Sequence, residues 1–489
     1  MEPPKEVSNL RQKAVKGIIW SVIQSWGQQL ISFGVFFLLA RLLGPENFGL
    51  LALSSVYLAF IQVFLDQGFS TAIIQLEKID SEDLDTAFWT NLVISIFLAI
   101  LSITCAELAA DIFNQPKIVA IIRYLSISFI FRGLNSVQEA VLQRKLAFKG
   151  LAIRSLVAVL ISGIVGVTMA YLNFGVWSLV GQQLSNSFVQ VLVLWQVSDW
   201  RPRFNFSFTR AKKLFAFGIN IFGFNVINFF NRRSDDLLIG YFLGPVALGY
   251  YSVAYRLLLI MTEVLISTTT KVALPVFSKL QKEPERFRNA FYNSTQLASL
   301  ITFPLFLGVA ALAPELIKLL FGQQWAKSIP VMQVLSLIGP LHVILFYNST
   351  AMMAMGKASW RLWIQLINTV SNVISFALVV KWGILAVASA YVIRGYLLLP
   401  ISFVAIHKLI QINWKKYFSL YVIPLVASIA MISSILGIKY FLQTTINLVS
   451  VTVISSIIGA SIYIAIIALM SPQLFSVIMN LFKKIGSRA

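Results

Sequence analysis

The sequence predicts an all-α integral membrane protein with about fourteen transmembrane helices, and three observations lead to that fold class. Of the 489 residues, 58% are apolar and only 12% are charged, whereas a soluble domain carries about a quarter charged residues. The apolar residues form runs of about twenty, which is long enough for a helix to cross a bilayer. Lysine and arginine collect in alternate loops between these runs. Because a backbone in lipid must satisfy its own hydrogen bonds, the runs are expected to be helices.

The apolar runs fall into two sets of six and a closing pair. The first set covers residues 18–40, 48–69, 87–110, 118–137, 156–172 and 177–197. The second set covers 214–243, 248–270, 294–313, 330–355, 362–380 and 384–406, and the closing pair covers 418–440 and 448–470. This grouping predicts an N-terminal lobe at 1–207, a C-terminal lobe at 208–412 and a helix pair at 413–489.

The distribution of positive charge predicts the orientation of these helices. The loops on the side of the N-terminus carry 27 Lys and Arg, the opposite loops carry 6, and the remaining 6 lie within spans. Since loops rich in Lys and Arg stay in the cytoplasm, both termini are predicted to be cytoplasmic. The net charge of +20 therefore gives no reason to expect nucleic acid as a partner, because attraction to anionic membrane lipids accounts for short basic loops.

An internal repeat relates the two sets of six spans. LLGPENFGLL at 42–51 matches FLGPVALGYY at 242–251, at an offset of 200 residues. The same offset places the polar residues of the first helix on polar residues of the seventh: Ser25 on Asn225, Gln28 on Asn228 and Ser32 on Arg232. Because six is an even number, the two halves have the same orientation, and transporters commonly place their substrate site between such repeats. The alternative interpretation is that the matching segment is only a favourable tight turn.

Charged residues inside the predicted spans mark the candidate site, because a charge at mid-bilayer costs about 2.5 kcal/mol or more. One interpretation is internal pairing of Arg232 with Asp235 or Asp236, which would only hold helices together. The other is a hydrated cavity for an anionic ligand, since the arginine fork suits phosphate. The predicted cavity residues are Arg123, Arg132, Arg232, Arg233, Arg256, Gln28, Asn225 and Asn228. The predicted ion-coupling residues, which would exchange H⁺ or bind Na⁺, are Asp235, Asp236 and Glu263.

Several kinds of site are not expected. Cys105 is the single cysteine and His342 and His407 are the two histidines, so the sequence offers neither an intramolecular disulfide nor a multi-histidine metal centre. The nucleotide-binding motif G-x-x-x-x-G-K-[ST] is absent from the sequence. The predicted outer loops are short, which disfavours a membrane glycosyltransferase or polymerase. The sequence therefore predicts a transporter without a cofactor rather than an enzyme.

The chain resembles the polysaccharide transporter family, the Wzx-type flippases of the multidrug/oligosaccharidyl-lipid/polysaccharide exporter superfamily. The segments that carry this resemblance are LARLLGPENFGLLAL from 39, LQRKLAFKGLAIR from 142, FGVWSLV from 174, WRPRF from 200, DDLLIGYFLGPVALGYYSVAYRL from 235, LPVFSKLQKEPERFRNAF from 274, APELIKLLFGQQW from 313, MAMGKASWRL from 353 and WGILAVASAY from 382. They follow the family order along nearly the whole chain.

The resemblance implies a flippase of the bacterial inner membrane that moves an undecaprenyl-diphosphate-linked oligosaccharide, the repeat unit of an O-antigen, capsule or exopolysaccharide. It implies two six-helix lobes around a cavity of alternating access, as in MATE and MurJ proteins, an ion gradient as driving force and possible contact with polymerase and export machinery. Asp236 stands at the acidic position of the family's D-x-x-I-G pattern, while Asp235 and Tyr241 depart from that pattern. The alternatives are a cation-coupled multidrug exporter of the same superfamily and, from another class, a membrane glycosyltransferase.

Overall fold

The computed structural model describes residues 5–65, 70, 73–74, 79–442 and 446–472, and side chains within these ranges except at 5–15, 18, 213–221 and 263–272. In this part of the chain all regular secondary structure is helical. The chain divides into two compact units, unit 1 (Met1–Ser252) and unit 2 (Val253–Ala489). The division falls inside one long helix, and the predicted lobe boundaries at 207 and 412 stay a prediction.

The helices of unit 1 whose bounds the structure describes end with one that continues into unit 2. They are α1 (Lys5–Leu42), α2 (Pro45–Leu65), α3 (Ser81–Thr104), α4 (Ala106–Phe113), α5 (Ile118–Arg144), α6 (Phe148–Tyr171), α7 (Val176–Val197) and α8 (Phe208–Lys279). Pro45 opens α2, where its fixed φ suits a first helical turn. Within α8, Gly244 has φ 79° and ψ −179°, a non-helical conformation that divides this helix into two parts at a kink.

In the part of unit 2 that the structure describes, the rest of α8 is followed by seven α-helices. They are α9 (Pro284–Leu320), α10 (Ser328–Ser336), α11 (Gly339–Ala354), α12 (Ala358–Val379), α13 (Ile384–Ile410), α14 (Trp414–Leu442) and α15 (Leu448–Met470). A buried aromatic cluster that includes Phe277, Phe291 and Tyr417 fills its core. Polar groups are paired there, since the Tyr417 hydroxyl donates to Asn348 Oδ1 at 3.1 Å. Lys439 Nζ likewise lies 2.8 Å from Glu315 Oε2, with both side chains largely buried.

The membrane spans agree with the prediction in place, although not in number. In the described residues, eleven helices are long and apolar enough to cross a membrane, or twelve if the bent pair α10 and α11 is one span. The prediction of fourteen counted α8 as two spans, on either side of Gly244, whereas Phe222–Thr262 counts here as one. It also counted α7, a 22-residue helix with several amide side chains that is not among the eleven.

The two copies of the repeated turn meet face to face within unit 1. A Cβ atom placed on Gly49 would overlap the carbonyl oxygen of Pro245, and a Cβ placed on Gly249 would overlap the carbonyl oxygen of Pro45. Each copy therefore supplies a glycine to the proline of the other. Such mutual contact of one surface with a copy of itself is expected about a twofold axis. We call this arrangement the reciprocal turn contact.

Close helix packing fixes the interior of unit 1. Helix α5 packs against α2, α3 and α7, and α6 packs against α1 and α7. The first part of α8 packs on α2, where the rings of Phe229 and Phe60 lie 5.4 Å apart and those of Phe222 and Phe64 lie 5.3 Å apart. Helices α2, α5 and α7 converge around a space that side chains do not fill, and this space holds the candidate site.

Candidate functional site

A polar cavity of about 550 Å³ lies inside unit 1 between α2, α5 and α7. Most of its lining residues have amide, hydroxyl or charged side chains, although α5 crosses the bilayer by length and composition. The lining residues are Gln62, Ser70, Ser128, Phe129, Phe131, Arg132, Asn135, Ser136, Glu139, Ala140, Gln143, Gln183, Ser187 and Gln190. We call this space the polar cavity.

Helical periodicity explains why these side chains meet. On α5, Ser128, Arg132, Asn135, Glu139 and Gln143 follow one another at intervals of four, three, four and four residues, so they share one face of the helix. A second stripe on α7 faces the same space, with Gln183, Ser187 and Gln190 at intervals of four and three. The cavity thus joins two polar stripes that the apolar parts of the same helices surround.

The charges of the polar cavity are arranged unequally. Glu139 forms a two-pronged ion pair with Arg154 of α6, with Arg154 Nη1 at 2.7 Å and Nη2 at 3.2 Å from its carboxylate oxygens. The Arg154 side chain is only 6% exposed, so this pair is internal to the protein. Arg132 is exposed to the cavity, and its guanidinium donates to the side-chain carbonyl of Gln62 in the amide orientation that satisfies both groups. The charged side chains of the lining are thus Arg132 and Glu139, and the carboxylate of Glu139 is engaged by Arg154.

Asn135 shows that the polar cavity has unused hydrogen-bonding capacity. The residue is 8% exposed and lines the cavity. Its Oδ1 atom has no hydrogen-bond partner among the described residues. A buried acceptor without a partner costs about 1–3 kcal/mol, which a ligand hydroxyl or a water molecule would recover. Together with the neighbouring amides, this acceptor suits a ligand with many hydroxyl groups, and Arg132 suits an anionic group on that ligand.

A second polar cluster lies on the first part of α8, also in unit 1. Arg233 Nη1 and Asp236 Oδ2 form an ion pair at 2.9 Å, with the Arg233 side chain 42% exposed. Asp235 is buried and is held by neutral donors: the Tyr251 hydroxyl donates to its Oδ2 at 2.8 Å and the backbone N–H of Asp236 donates to its Oδ1 at 3.0 Å. The internal pairing predicted for this segment thus occurs, but through Arg233 rather than Arg232.

The other predicted site residues lie apart from these clusters. Arg123 is on an exposed surface of α5, where its Nη2 lies 2.8 Å from Glu107 Oε1. Arg232 is exposed on α8, and Arg256 is exposed in unit 2. The half-buried residues Gln28, Asn225 and Asn228 do not line the polar cavity. The side chain of Glu263, and with it the predicted face shared with Arg256, lies outside the described residues.

Of the predicted cavity residues, the polar cavity contains only Arg132. Sequence reasoning missed Asn135, Gln183 and Gln190, because it considered amides only on the first and seventh helices, where the repeat aligned them, and considered only charges on the other spans. The signal was nevertheless present. Polar residues recur at intervals of three and four along the last four turns of α5 and in the middle of α7, which predicts one polar face on each helix. Within the described residues, no group of His, Cys, Asp and Glu side chains could hold a metal ion.

Fold and polar cavity together define a multi-pass membrane protein with the architecture of the MATE and MurJ transporters. The structure is similar to that of the lipid II flippase MurJ in an inward closed conformation, with a TM-score of 0.76 and 17% sequence identity over 94% of this chain and 99% of that one. It is also similar to an inward-facing multidrug resistance MATE family transporter, with a TM-score of 0.61 and 17% identity over 81% of this chain and 98% of that one. These likenesses confirm the predicted fold class.

The sequence establishes the family. Residues 38–330 match the family described as "Polysaccharide biosynthesis protein", and the chain belongs to this family. The succinoglycan biosynthesis transport protein ExoT of Rhizobium meliloti (strain 1021) is 30% identical over 66% of this chain and 65% of its own length. The teichuronic acid biosynthesis protein TuaB of Bacillus subtilis (strain 168) is 26% identical over 86% and 88%. The lipopolysaccharide biosynthesis protein WzxC of Escherichia coli (strain K12) is 28% identical over 72% and 71%.

Proposed function

We propose that this protein is a flippase that carries a lipid-linked oligosaccharide across a bacterial inner membrane, from the cytoplasmic to the periplasmic leaflet, without chemical change to its cargo. The polar cavity is the observation that carries the proposal. A space lined by amides, hydroxyls and the guanidinium of Arg132, inside helices that cross lipid, suits a sugar chain attached to phosphate. The names of the relatives support the same conclusion, since they assign those proteins to polysaccharide biosynthesis and, for ExoT, to transport.

The cavity residues divide the recognition between them. Amide groups both donate and accept hydrogen bonds, as sugar hydroxyls do, so Asn135, Gln183 and Gln190 would bind the glycan. Arg132 would bind the diphosphate that joins the glycan to its lipid, because a guanidinium donates two parallel hydrogen bonds to phosphate oxygens. Arg132 lies twelve residues before the end of α5, or roughly 18 Å along the helix at 1.5 Å per residue. A diphosphate bound to Arg132 would therefore lie deeper in the membrane than the lipid headgroups.

The direction of transport follows from the orientation proposed for the chain. The excess of Lys and Arg in alternate loops favours cytoplasmic termini. In that orientation α2, α5 and α7 end at the cytoplasmic side. Most cavity residues on these helices lie in the halves nearer that side, whereas Ser128, Phe129 and Gln183 lie beyond the midpoints. The cavity would therefore receive cargo made in the cytoplasm, and polymerase and export machinery on the other side would consume it.

We further propose that the polar cluster of Arg233, Asp235 and Asp236 on α8, here called the α8 cluster, couples transport to an ion gradient. Asp235 is buried and receives hydrogen bonds from the Tyr251 hydroxyl and a backbone N–H. It could take up H⁺, or exchange it for Na⁺, without breaking an ion pair between described side chains. Asp236 is paired with Arg233 and would serve as the fixed neighbour of this exchanging carboxylate. Glu263, Arg232 and Arg256 remain predicted contributors to coupling and to cargo binding.

The test compares two arginines of the same helix. Arg132→Gln should lower surface polysaccharide strongly, because a hydrogen bond to a charged group contributes about 1.5–3 kcal/mol, roughly 10- to 150-fold in affinity. Arg123→Gln removes the same charge from an exposed ion pair with Glu107 and should leave export near wild type, since such pairs contribute about 0–1 kcal/mol. A strain that lacks the gene is complemented with each variant, and lipid-linked oligosaccharide is assayed on the cytoplasmic leaflet.

Accumulation of cytoplasmic lipid-linked oligosaccharide with Arg132→Gln, at normal amounts of protein in the membrane, is the expected result. Equal export by the two variants would contradict the role given to the polar cavity. Normal glycans combined with sensitivity to cationic drugs in the deletion strain would favour a multidrug exporter, and new glycosidic bonds made by the purified protein would favour an enzyme.

A further inference from the structure

An apolar groove of about 890 Å³ lies in unit 1 between the start of α3 and the linker, residues 198–207, that joins α7 to α8. Its lining residues are Trp89, Thr90, Val93, Ile94, Phe204, Phe206, Phe208, Ala211 and Lys212. The proposed function does not use this groove, which shares no lining residue with the polar cavity. We call it the linker groove.

The linker and the first residue of α8 carry three phenylalanines that are largely exposed. Phe204, Phe206 and Phe208 alternate along the sequence and are 91%, 57% and 79% exposed, respectively. Large apolar side chains are expected to be covered, either by protein or by hydrocarbon, because exposure to water costs about 25 cal/mol per Å². In this region the described protein does not cover them, so the linker groove has an apolar wall that something else must contact.

Specific contacts keep the linker in this position. The backbone N–H of Arg203 donates to Asp85 Oδ1 at 3.0 Å, and Trp89 Nε1 donates to the carbonyl oxygen of Arg203 at 2.8 Å. The indole of Trp89 also stacks on Phe204, with ring centroids 4.7 Å apart. The linker is thus anchored through its backbone and through one face of the Phe204 ring, and Phe204 and Phe206 remain largely exposed.

A cluster of ion pairs lies just after the C-terminal end of the linker. Arg210 at the start of α8 forms ion pairs with three carboxylates at the start of α3: Asp80 at 3.4 Å, Glu82 at 3.0 Å and Asp83 at 2.5 Å. The hydrogen bond to Asp83 is the main reason that the pKa of Arg210 is raised. The charged side chains of this cluster are expected to lie in water or among lipid headgroups. Val93, which also lines the linker groove, lies ten residues after Asp83 in the apolar part of α3. The linker groove therefore spans the boundary between headgroups and hydrocarbon.

The charged residue that lines the linker groove indicates which kind of lipid headgroup would bind there. Lys212 is exposed and lines the linker groove, and the lining contains no carboxylate. No ion pair joins Lys212 to another described residue. A single cation above an aromatic, apolar floor is complementary to one phosphate with a hydrocarbon chain below it. We infer that the linker groove binds an anionic phospholipid, with an acyl chain between α3 and Phe204, Phe206 and Phe208 and its phosphate on Lys212.

Trp89 supplies a local probe for this lipid. The purified full-length protein in detergent is titrated with phosphatidylglycerol that carries brominated acyl chains, and with phosphatidylcholine that carries the same chains. Bromine quenches nearby indoles, and subtraction of the quenching in Trp89→Phe isolates the contribution of Trp89. Phosphatidylglycerol is expected to quench Trp89 at lower concentrations than phosphatidylcholine does.

Two variants separate the headgroup from the chain. Lys212→Gln should raise the concentration of phosphatidylglycerol for half-quenching about fivefold, the effect of one basic residue near an anionic lipid, and should leave phosphatidylcholine unaffected. Phe206→Ser should weaken quenching by both lipids. Lys282→Gln is the matched control, because Lys282 is exposed in the loop between α8 and α9 and carries the same charge. Mass spectrometry of lipids retained by the purified wild type and Lys212→Gln gives an independent reading of the same preference.

Three results would overturn the inference. The first is equal quenching of Trp89 by the two lipids in the wild-type protein. The second is an effect of Lys282→Gln as large as that of Lys212→Gln. The third is displacement of brominated phosphatidylglycerol by a polyprenyl phosphate at a lower concentration than by unlabelled phosphatidylglycerol, since the groove would then be a site for a prenyl chain. None of these results depends on glycan transport, so the inference can fail while the proposed function holds.

Discussion

The reciprocal turn contact should make one methyl group at Gly49 costly. In Gly49→Ala the new Cβ would lie 2.9 Å from the Cα of Pro245 and closer still to its carbonyl oxygen. These are backbone atoms, so no side chain can rotate away and the two turns must separate. Overpacking of this kind costs about 1–3 kcal/mol, and we expect the free energy of unfolding to fall by that amount.

Gly34→Ala is the matched control. Gly34 lies within α1, and a Cβ placed there meets no other heavy atom within 4 Å. Alanine in a helix interior is favoured over glycine by about 0.5–1 kcal/mol, so this variant should be slightly more stable than the wild type. The two substitutions add the same methyl group and are expected to change stability in opposite directions.

The assay is unfolding of the purified protein in mixed micelles by increasing sodium dodecyl sulfate, followed by tryptophan fluorescence. Gly249→Ala meets Pro45 in the same way and should cost about as much as Gly49→Ala. Because either change opens the same contact, the double variant should cost less than the sum of the single ones. The reasoning would be refuted if Gly49→Ala proved as stable as Gly34→Ala, or if the costs at Gly49 and Gly249 simply added.

Two further predictions concern stability. Gly244→Ala should lower the free energy of unfolding by about 1–3 kcal/mol, because φ 79° and ψ −179° lie in a region that only glycine occupies readily. Gly44 lies at the matching turn without a positive φ or a close neighbour, so Gly44→Ala should melt near the wild type. Equal melting temperatures of the two variants would contradict this prediction. Lys439→Met should cost about 3–5 kcal/mol, since it leaves Glu315 buried without its partner. Adding Glu315→Leu should restore most of that loss in the same unfolding titration, and no recovery would show that the ion pair is not the cause.

The membrane helices could be predicted from sequence because lipid leaves the chain little choice. Most of each predicted run falls on helix where the structure describes it, and the runs 87–110 and 330–355 are each divided between two helices, at Cys105 and at residues 337–338. The offset of 200 residues relates the turns at Pro45 and Pro245, and the structure brings these two turns into contact. What the sequence could not predict is which helices lie side by side, and both the polar cavity and the linker groove depend on that.

The α8 cluster shows the same limit on a smaller scale. Spacing alone permits Arg232 to pair with Asp235 and Arg233 to pair with Asp236, since both pairs are three residues apart. The structure contains the second pair. Asp235 instead accepts a hydrogen bond from the hydroxyl of Tyr251, which lies sixteen residues further along the chain. Arg132 was predicted from its charge, but its neighbours Gln183 and Gln190 come from another helix and became candidates only once α5 and α7 were seen to pack together.

The reciprocal turn contact has a consequence for the history of the chain. One seven-residue segment supplies both the proline and the glycine of the contact, so the surface is complementary to itself. A half-length ancestor with a single copy could have formed a symmetric dimer through this surface. Joining two copies end to end would then have kept an existing interface rather than required a new one. In the fused chain each turn would then restrict substitution in the other, because a larger residue in place of the glycine of one turn would overlap the proline of the other.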